Sequence, residues 1–324
     1  MTQSRPGGAI LTVTPNPALD LTWHVPHLQP GESHRVPAGI GRAGGKGLNV
    51  ARVLHGAGAS VLALTTAGGA IGGEFTSELR ASGIPFEIVE ARAQTRRSIA
   101  IADQATGEAT VLNEHGGPLT DRETAALLQR CRELSADAAA VGICGSLPPG
   151  LDPWLVAELV TAVAATGIPV LVDTSGPALR AAACAGASIL KPNLEELREA
   201  TGCDDVRDGA RTLLDDGAKI VVVTLGSDGL WIIDAEGAAV RARLRTPVRG
   251  NATGAGDAAV AAILRTVATT GVRLGDADLL AELAGTAVAW SASAVLAPLA
   301  GDLSDRTADL LEEVAILDPT PEFS

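Results

Sequence analysis

From Ala138 onwards the chain repeats one motif: a short apolar run rich in β-branched residues, a polar tip, then alanine and leucine at helical spacing. Runs at Ala138–Cys144, Pro169–Val172 and Ala187–Leu190 alternate with helical stretches around Trp154–Ala165 and Ala178–Ala185. Such repetition predicts βαβ units, and so an α/β fold with a doubly wound, mostly parallel sheet and helices on both faces. The tips Gly145-Ser146-Leu-Pro-Pro, Asp173-Thr-Ser-Gly and Lys191-Pro-Asn193-Leu-Glu-Glu196 each follow a strand. They therefore fall together on the carboxyl edge of the sheet, where open α/β folds bind ligands. Lys219–Leu225 is a further buried strand, and the Gly226-Ser-Asp-Gly229 turn behind it offers free amides to a nucleotide. Strands at Leu230–Asp234 and Ala239–Leu244, and helices at Ala277–Val295 and Arg306–Ile316, complete the C-terminal half.

The N-terminal half is organised around Ile10–Thr14, a β-branched run stopped by Pro15-Asn-Pro17 and read as a buried first strand. Asp20, just past its end, is placed either to hold sugar hydroxyls or to form a turn. Ser60–Thr66 reads as a strand and Gly72–Ser82 as a helix. Leu21–Val36, broken by Pro and Gly, predicts two strands of a small exposed sheet, and the alternating runs Phe86–Glu90, Ser98–Ala102 and Ala109–Asn113 are assigned to the same sheet. No linker, repeat or low-complexity segment divides the chain, so residues 1–324 read as one domain with exposed segments at about 21–38 and 86–115.

A net charge of −13 argues against a nucleic-acid partner, since phosphate backbones are bound by surplus cations. Aromatic residues make up 2 % of the chain and Tyr is absent, so the core is aliphatic and ring stacking is excluded as the main mode of ligand binding. Cys131, Cys144, Cys184 and Cys203 are far apart, with no Cys-x-x-Cys pair, and read as reduced thiols. His24, His27 and His34 have no Cys or carboxylate at ligand spacing and are expected on the surface. No run of the length of a membrane span is evident and the first residues lack an apolar centre, so a cytoplasmic setting away from membranes is expected.

The chemistry concentrates in Arg249-Gly-Asn-Ala-Thr-Gly-Ala-Gly-Asp-Ala258, which runs into an apolar helix reaching Leu264. Three glycines at a helix entry expose N–H groups to an anion, with the helix dipole behind them. Asp257 would repel that anion, so it is out of place as a binding group. As a base it fits: it takes a proton from an alcohol while the alcohol oxygen attacks a phosphoryl group held by the neighbouring amides. The plainer reading is an acidic residue favourable to the first turn of a helix. A second glycine-rich stretch, Gly39–Asn49, leads into another helix. Gly39, Gly41 and Gly44 match G-x-G-x-x-G, but no apolar strand precedes them and no ribose-binding acid follows. Lys46 is followed by Gly47 and Ile40 stands where a P-loop has its first glycine, so a Walker A motif is excluded. Lys46 and Asn49 remain, at a helix entry suited to an anion or hydroxyl. Of the adjacent pair Arg96 and Arg97, strand geometry lets only one face a shared site.

Taken together, Thr14-Pro-Asn-Pro-Ala-Leu-Asp20, Gly44-Gly-Lys-Gly-Leu-Asn-Val-Ala51, Gly145-Ser-Leu-Pro148, Lys191-Pro-Asn193 with Glu196, and Gly254-Ala-Gly-Asp257 resemble, in order, the ribokinase-like PfkB carbohydrate kinases. The likeness spans about Ile10–Ile316 and is greatest to the subgroup acting on sugar phosphates, 1-phosphofructokinase and tagatose-6-phosphate kinase. It implies a ribokinase-like fold with a small β-sheet lid over the sugar, often shared in a dimer. It further implies Asp257 as base, with the amides of Gly254, Ala255, Gly256 and Asp257 as its anion hole; Asp20, Gly45 and Asn49 on the sugar; and Arg35, Lys46, Arg96 and Ser146 on its phosphate. Lys191, Asn193, Thr224, Gly226 and Gly229 would approach ATP, with Glu196 organising Mg²⁺ through water. Thr253, Ala258, Ser98 and Cys144 stand where the subgroup usually carries Val, Ser, Asn and Ser. The reaction this resemblance implies is transfer of the γ-phosphoryl of ATP to fructose 1-phosphate. Tagatose 6-phosphate and fructose 6-phosphate are the alternative acceptors, and a non-catalytic sugar-phosphate sensor is the alternative of another class.

Overall fold

The computed structural model describes residues 8–317. The first residues, read above as lacking a leader's apolar centre, lie mostly outside that range. In chain order the strands are β1 (Ile10–Thr14), β2 (Ala18–Val25), β3 (Ile40–Gly44), β4 (Val61–Ala67), β5 (Phe86–Glu90), β6 (Arg96–Asp103) and β7 (Ala109–Asn113). They continue as β8 (Ala140–Cys144), β9 (Val170–Asp173), β10 (Ile189–Leu190), β11 (Ile220–Thr224), β12 (Leu230–Asp234), β13 (Ala239–Leu244) and β14 (Val314–Leu317).

Ten of them form one sheet in the order β14-β13-β12-β11-β10-β9-β8-β1-β4-β5. Neighbours from β5 to β11 run parallel, and β12, β13 and β14 are added antiparallel. Two-residue periodicity splits the strand side chains between two cores, one on each face. Ile10, Ile220 and Val222 join the helices Lys46–Gly56, Ala255–Thr270 and Ala277–Leu296. Leu11, Val13, Val221 and Val223 join Asp121–Ser135, Trp154–Ala164 and Pro177–Cys184. The chain moves outward from β1 one way through β4 and β5 and the other way from β8, so strand order reverses between β1 and β8. A crevice opens at the carboxyl ends of strands beside such a reversal.

The second sheet has four strands in the order β3-β2-β6-β7, with β2 and β6 parallel and both outer pairs antiparallel. Its membership differs from the expectation. Phe86–Glu90 pairs with β4 as the edge of the main sheet, where Val89 is buried in one core and Phe86 and Ile88 pack against the other. Its alternating pattern is that of an edge strand, which resembles a half-exposed strand of a small sheet. Only one strand comes from Leu21–Val36, because residues 26–39 form no strand, and the partner of β2 is the glycine-rich Ile40–Gly44.

At the C-terminus the helix expected through Ile316 ends at Glu312, and Val314–Leu317 adds β14. Three helices went unforeseen: Asp121–Ser135, closed at its start by a Thr120/Glu123 capping box, Leu194–Thr201, and Val206–Asp215. Ala277–Leu296 is long and apolar enough to cross a bilayer, contrary to the reading of the sequence, but it is mostly buried against Ala255–Thr270 and β13. It is apolar because it is a core helix.

All five residues of β7 are exposed, whereas β5 is fastened to the ten-stranded sheet. Hydrogen exchange should therefore be slower across Phe86–Glu90 than across Ala109–Asn113, read by peptide mass spectrometry of the unliganded protein. Equal rates would return β5 to the small sheet.

Candidate active site

The helix Ala255–Thr270 starts at Gly254, whose φ of 84° lies in the left-handed region. A side chain is strained there, and a Cβ would also sit tightly at 3.1 Å from Cα and Cβ of Ala300. Of the amides expected to face an anion, that of Ala255 is taken by the carbonyl of Ala252 at 3.2 Å, whereas those of Gly254, Gly256 and Asp257 have no backbone carbonyl partner among the described residues and are left to an anion. Asp257, 6 % exposed, stands in this first turn, and Asn49 donates to its Oδ2 at 2.8 Å. Burial, then the nearby charge of Asp173, pushes the Asp257 carboxyl up to about 6, against the Asn49 hydrogen bond and the lysines. A carboxylate with that affinity for a proton can accept one near neutral pH.

Beside it, the tip of β9 holds Asp173, 1 % exposed, between two lysines. Its Oδ1 accepts from Lys46 Nζ at 3.0 Å, and Lys191 Nζ lies 3.3 Å from Oδ2. Burial works against ionisation of Asp173, but Lys191 and Lys46 outweigh it and hold the carboxyl below its ordinary range. Lys46 Nζ also reaches Glu196 Oε1 at 3.3 Å. Burial opposes its charge as well, yet Asp173 and Glu196 raise its affinity for the proton. Lys191 Nζ lies 3.6 Å from where a Cβ on Gly256 would be, so this cation borders the free amides.

On the other side, β2 carries Asp20 opposite Arg42 of β3, and a Cβ on Gly44 would collide with the Asp20 carboxylate. Gly44 is thus the seat of Asp20. Burial pushes the Asp20 carboxyl up to about 7, with Arg96 opposing and Asp257 reinforcing the shift. Arg96, at the start of β6, donates to the carbonyl of Asn16 at 3.2 Å and that of Glu114 at 3.3 Å. Burial lowers its pKa, with Asp20 and Glu114 opposing. Farther along the sheet edge, Asn193 caps the helix Leu194–Thr201 in a box closed by Glu196, with both bonds at 2.8 Å. Gly229, at φ +87°, passes so close to the carbonyl of Ala242 that no side chain fits. Beyond it the wall is apolar, formed by Leu230, Leu244, Val248, Val288, Ala292 and Val295.

These residues line one cleft of about 850 Å³. Every residue singled out from the sequence lines it except Arg35 and Ser146. Arg35 is exposed within residues 26–39 and stands outside the cleft, and exposed Ser146 is engaged by Asn16, whose Nδ2 donates to Ser146 Oγ at 3.1 Å. Of the arginine pair, Arg96 is the one that faces the cleft. Asp173 was visible only as a polar tip after a strand and had no role assigned; its ion pairs arise from residues far apart in sequence. Ser98, noted above as a departure from the subgroup, and Asn113, its neighbour across β6 and β7 joined at 2.8 Å, also line the cleft, though neither was assigned a role. Among the described residues no group of three or more His, Cys, Asp or Glu is placed to hold a metal ion.

The family model of the pfkB family carbohydrate kinases matches residues 16–301. The chain is 37 % identical over 262 residues to the ATP-dependent 6-phosphofructokinase isozyme 2 of Escherichia coli K12, covering 78 % of this chain and 84 % of that protein. It is 34 % identical over 278 residues to the 1-phosphofructokinase of Rhodobacter capsulatus, covering 84 % and 87 %. A crystal structure of the Escherichia coli phosphofructokinase-2 in complex with fructose-6-phosphate superposes with a TM-score of 0.82 at 33 % identity, over 94 % of this chain and 98 % of that one. With motifs, fold and cleft in agreement along nearly the whole described length, the chain belongs to the pfkB family of carbohydrate kinases.

Proposed function

We propose that the chain transfers the γ-phosphoryl group of ATP to fructose 1-phosphate, giving fructose 1,6-bisphosphate. The observation that carries the proposal is the position of Asp257: a buried carboxylate of raised pKa beside unpartnered amides, with Asp20 and Arg96 on one side and Lys191 on the other. Asp20 and Gly45 orient the sugar, Arg96 holds its phosphate, and Asn49 fixes the Asp257 carboxylate toward the attacking hydroxyl. Asp257 accepts that hydroxyl's proton while the free amides of Gly254, Gly256 and Asp257 and the Lys191 ammonium meet the charge on the transferred group. Lys46, tied to Asp173 and Glu196, stands between the two substrates rather than on the sugar phosphate alone.

The apolar wall takes the base of the nucleotide, and Thr224, Gly226 and Gly229 its phosphate side. Glu196 would help hold Mg²⁺ through water, and the bound ion would supply neutralisation of charge on the nucleotide's phosphate oxygens. Choice of fructose 1-phosphate is supported by relatives of that name matching 84 % and 87 % of the chain. Fructose 6-phosphate is the second reading, favoured by the 37 % and 35 % identities to 6-phosphofructokinase isozymes. The small sheet would act as a lid, and exposed Ile40, Val111 and Leu112 on it would be covered by the lid of a second subunit. The cysteines, all free, fit a reducing cytoplasmic setting.

Replacing Asp257 with Asn should lower kcat by about 10²-fold or more with substrate KM largely kept; near-normal turnover would remove Asp257 from the mechanism. Two of the cleft carboxyls, those of Asp20 and Asp257, have raised pKa values, so each is neutral below its value and charged above it. kcat/KM should therefore fall as pH drops, first as Asp20 gains a proton near about 7 and further as Asp257 does near about 6. A flat profile across that interval would deny both groups their roles. An ADP-release assay over fructose 1-phosphate, fructose 6-phosphate, tagatose 6-phosphate, fructose and ribose should give the highest kcat/KM with fructose 1-phosphate. Fructose should be far poorer, and equal values for fructose and its phosphates would mean that Arg96 is no phosphate ligand.

A further inference from the structure

The anion hole and strand β3 of the small sheet are joined through a point outside the cleft. The Arg42 side chain, one-fifth exposed, leaves β3 and forks onto Asp302, with Nη1 to Oδ2 at 3.1 Å and Nη2 to Oδ1 at 3.0 Å. The same Nη1 donates to the carbonyl of Ala300 at 3.2 Å. Ala300 is the residue that backs Gly254, since a Cβ on that glycine would meet it at 3.1 Å. The next residue, Gly301, lies against the stem of Arg52, whose guanidinium donates to Glu78 at 2.6 Å and to the carbonyl of Ala43 at 3.1 Å. Glu78 in turn accepts from the amide of Ala43 at 2.7 Å. Arg42 of β3 thus grips Ala300 and Asp302 directly, while Arg52, bonded to the Ala43 carbonyl, packs against Gly301, and Ala300 backs the start of the helix that carries Asp257. A bidentate arginine–carboxylate pair with a third bond to a carbonyl fixes geometry in a way that a single exposed ion pair does not.

We infer that Arg42 is a positioning residue: by holding Ala300 and Asp302 it sets Gly254 and the amides that follow, so the anion hole is formed only while β3 is seated. Arg42 touches no substrate. It acts through Ala300, and it ties the strand opposite Asp20 to the site of phosphoryl transfer. Only the kinetic arm of the test rests on the proposed reaction.

The test compares Arg42→Ala, Asp302→Asn and the double variant with the unaltered chain. Peptides covering residues 251–256 should exchange faster in both single variants in the absence of any substrate. kcat should fall roughly 10-fold or more, with both KM values within about twofold, because misplaced amides are felt in the transition state more than in the ground state. The double variant should be no worse than Arg42→Ala, since both changes break one latch. Arg180→Ala, which removes a remote pair with Asp216 at 2.9 Å, should change neither readout. Asp302→Asn, conservative and more exposed, carries the test where Arg42→Ala fails to fold. Unchanged exchange at residues 251–256, or unchanged kcat, overturns the inference. Faster exchange in a protein that turns over no fructose phosphate leaves the latch standing and sinks the proposed reaction instead.

Discussion

A carboxylate buried next to free amides is the constraint on which the rest of this structure depends. Such a group is costly to take out of water, and it is tolerated here because Asn49 donates to it and two lysines stand nearby. Those partners come from two distant parts of the chain, the helix after β3, which supplies both Asn49 and Lys46, and the tip of β10, which supplies Lys191. The parallel sheet brings them together by presenting each at a carboxyl end. Asp173 adds the counterweight: it is the buried anion that pairs directly with both lysines, Lys46 at 3.0 Å and Lys191 at 3.3 Å. The cleft is thus an alternation of charges that a phosphoryl group enters, rather than a patch of one sign.

Much of this was legible beforehand. Strand–helix alternation from Ala138 yielded the sheet, and the glycines around Asp257 and Lys46 yielded both helix entries, because each rests on local geometry that few residues satisfy. What escaped was non-local. Phe86–Glu90 alternates like a strand of the small sheet, and only pairing with β4 reveals it as an edge of the main one. Ile40–Gly44 has too little side chain to announce a strand; it is glycine-rich because Asp20 occupies the space a Cβ at Gly44 would need. Arg35 carries the right charge for an anion, but charge alone does not place a side chain, and residues 26–39 hold it outside the cleft.

The two halves of the cleft differ in kind. The end formed by the small sheet is polar, with Asp20 beside Arg96, which is held by backbone carbonyls, and Ser98 bonded to Asn113. The far wall is aliphatic, as a chain without tyrosine and with few aromatic residues requires. Orientation is therefore set at the polar end, where hydrogen bonds have direction, while the apolar end contributes area.

The hydrogen bond between Asn49 and Asp257 spans 208 positions, and the core on that face needs Ala277–Leu296 and β14 as well as the helix Lys46–Gly56. During synthesis the first helix must therefore wait, with its apolar side uncovered, until almost all of the described chain has emerged. The opposite core can close earlier, since its helices and strands follow one another from Asp121 to Thr224. This protein is in that respect built in two shifts, and the catalytic face belongs to the late one. A nascent chain halted before Ala277 would carry a nearly finished half-molecule with an exposed aliphatic surface, the kind of species that chaperones bind and that aggregates when they do not.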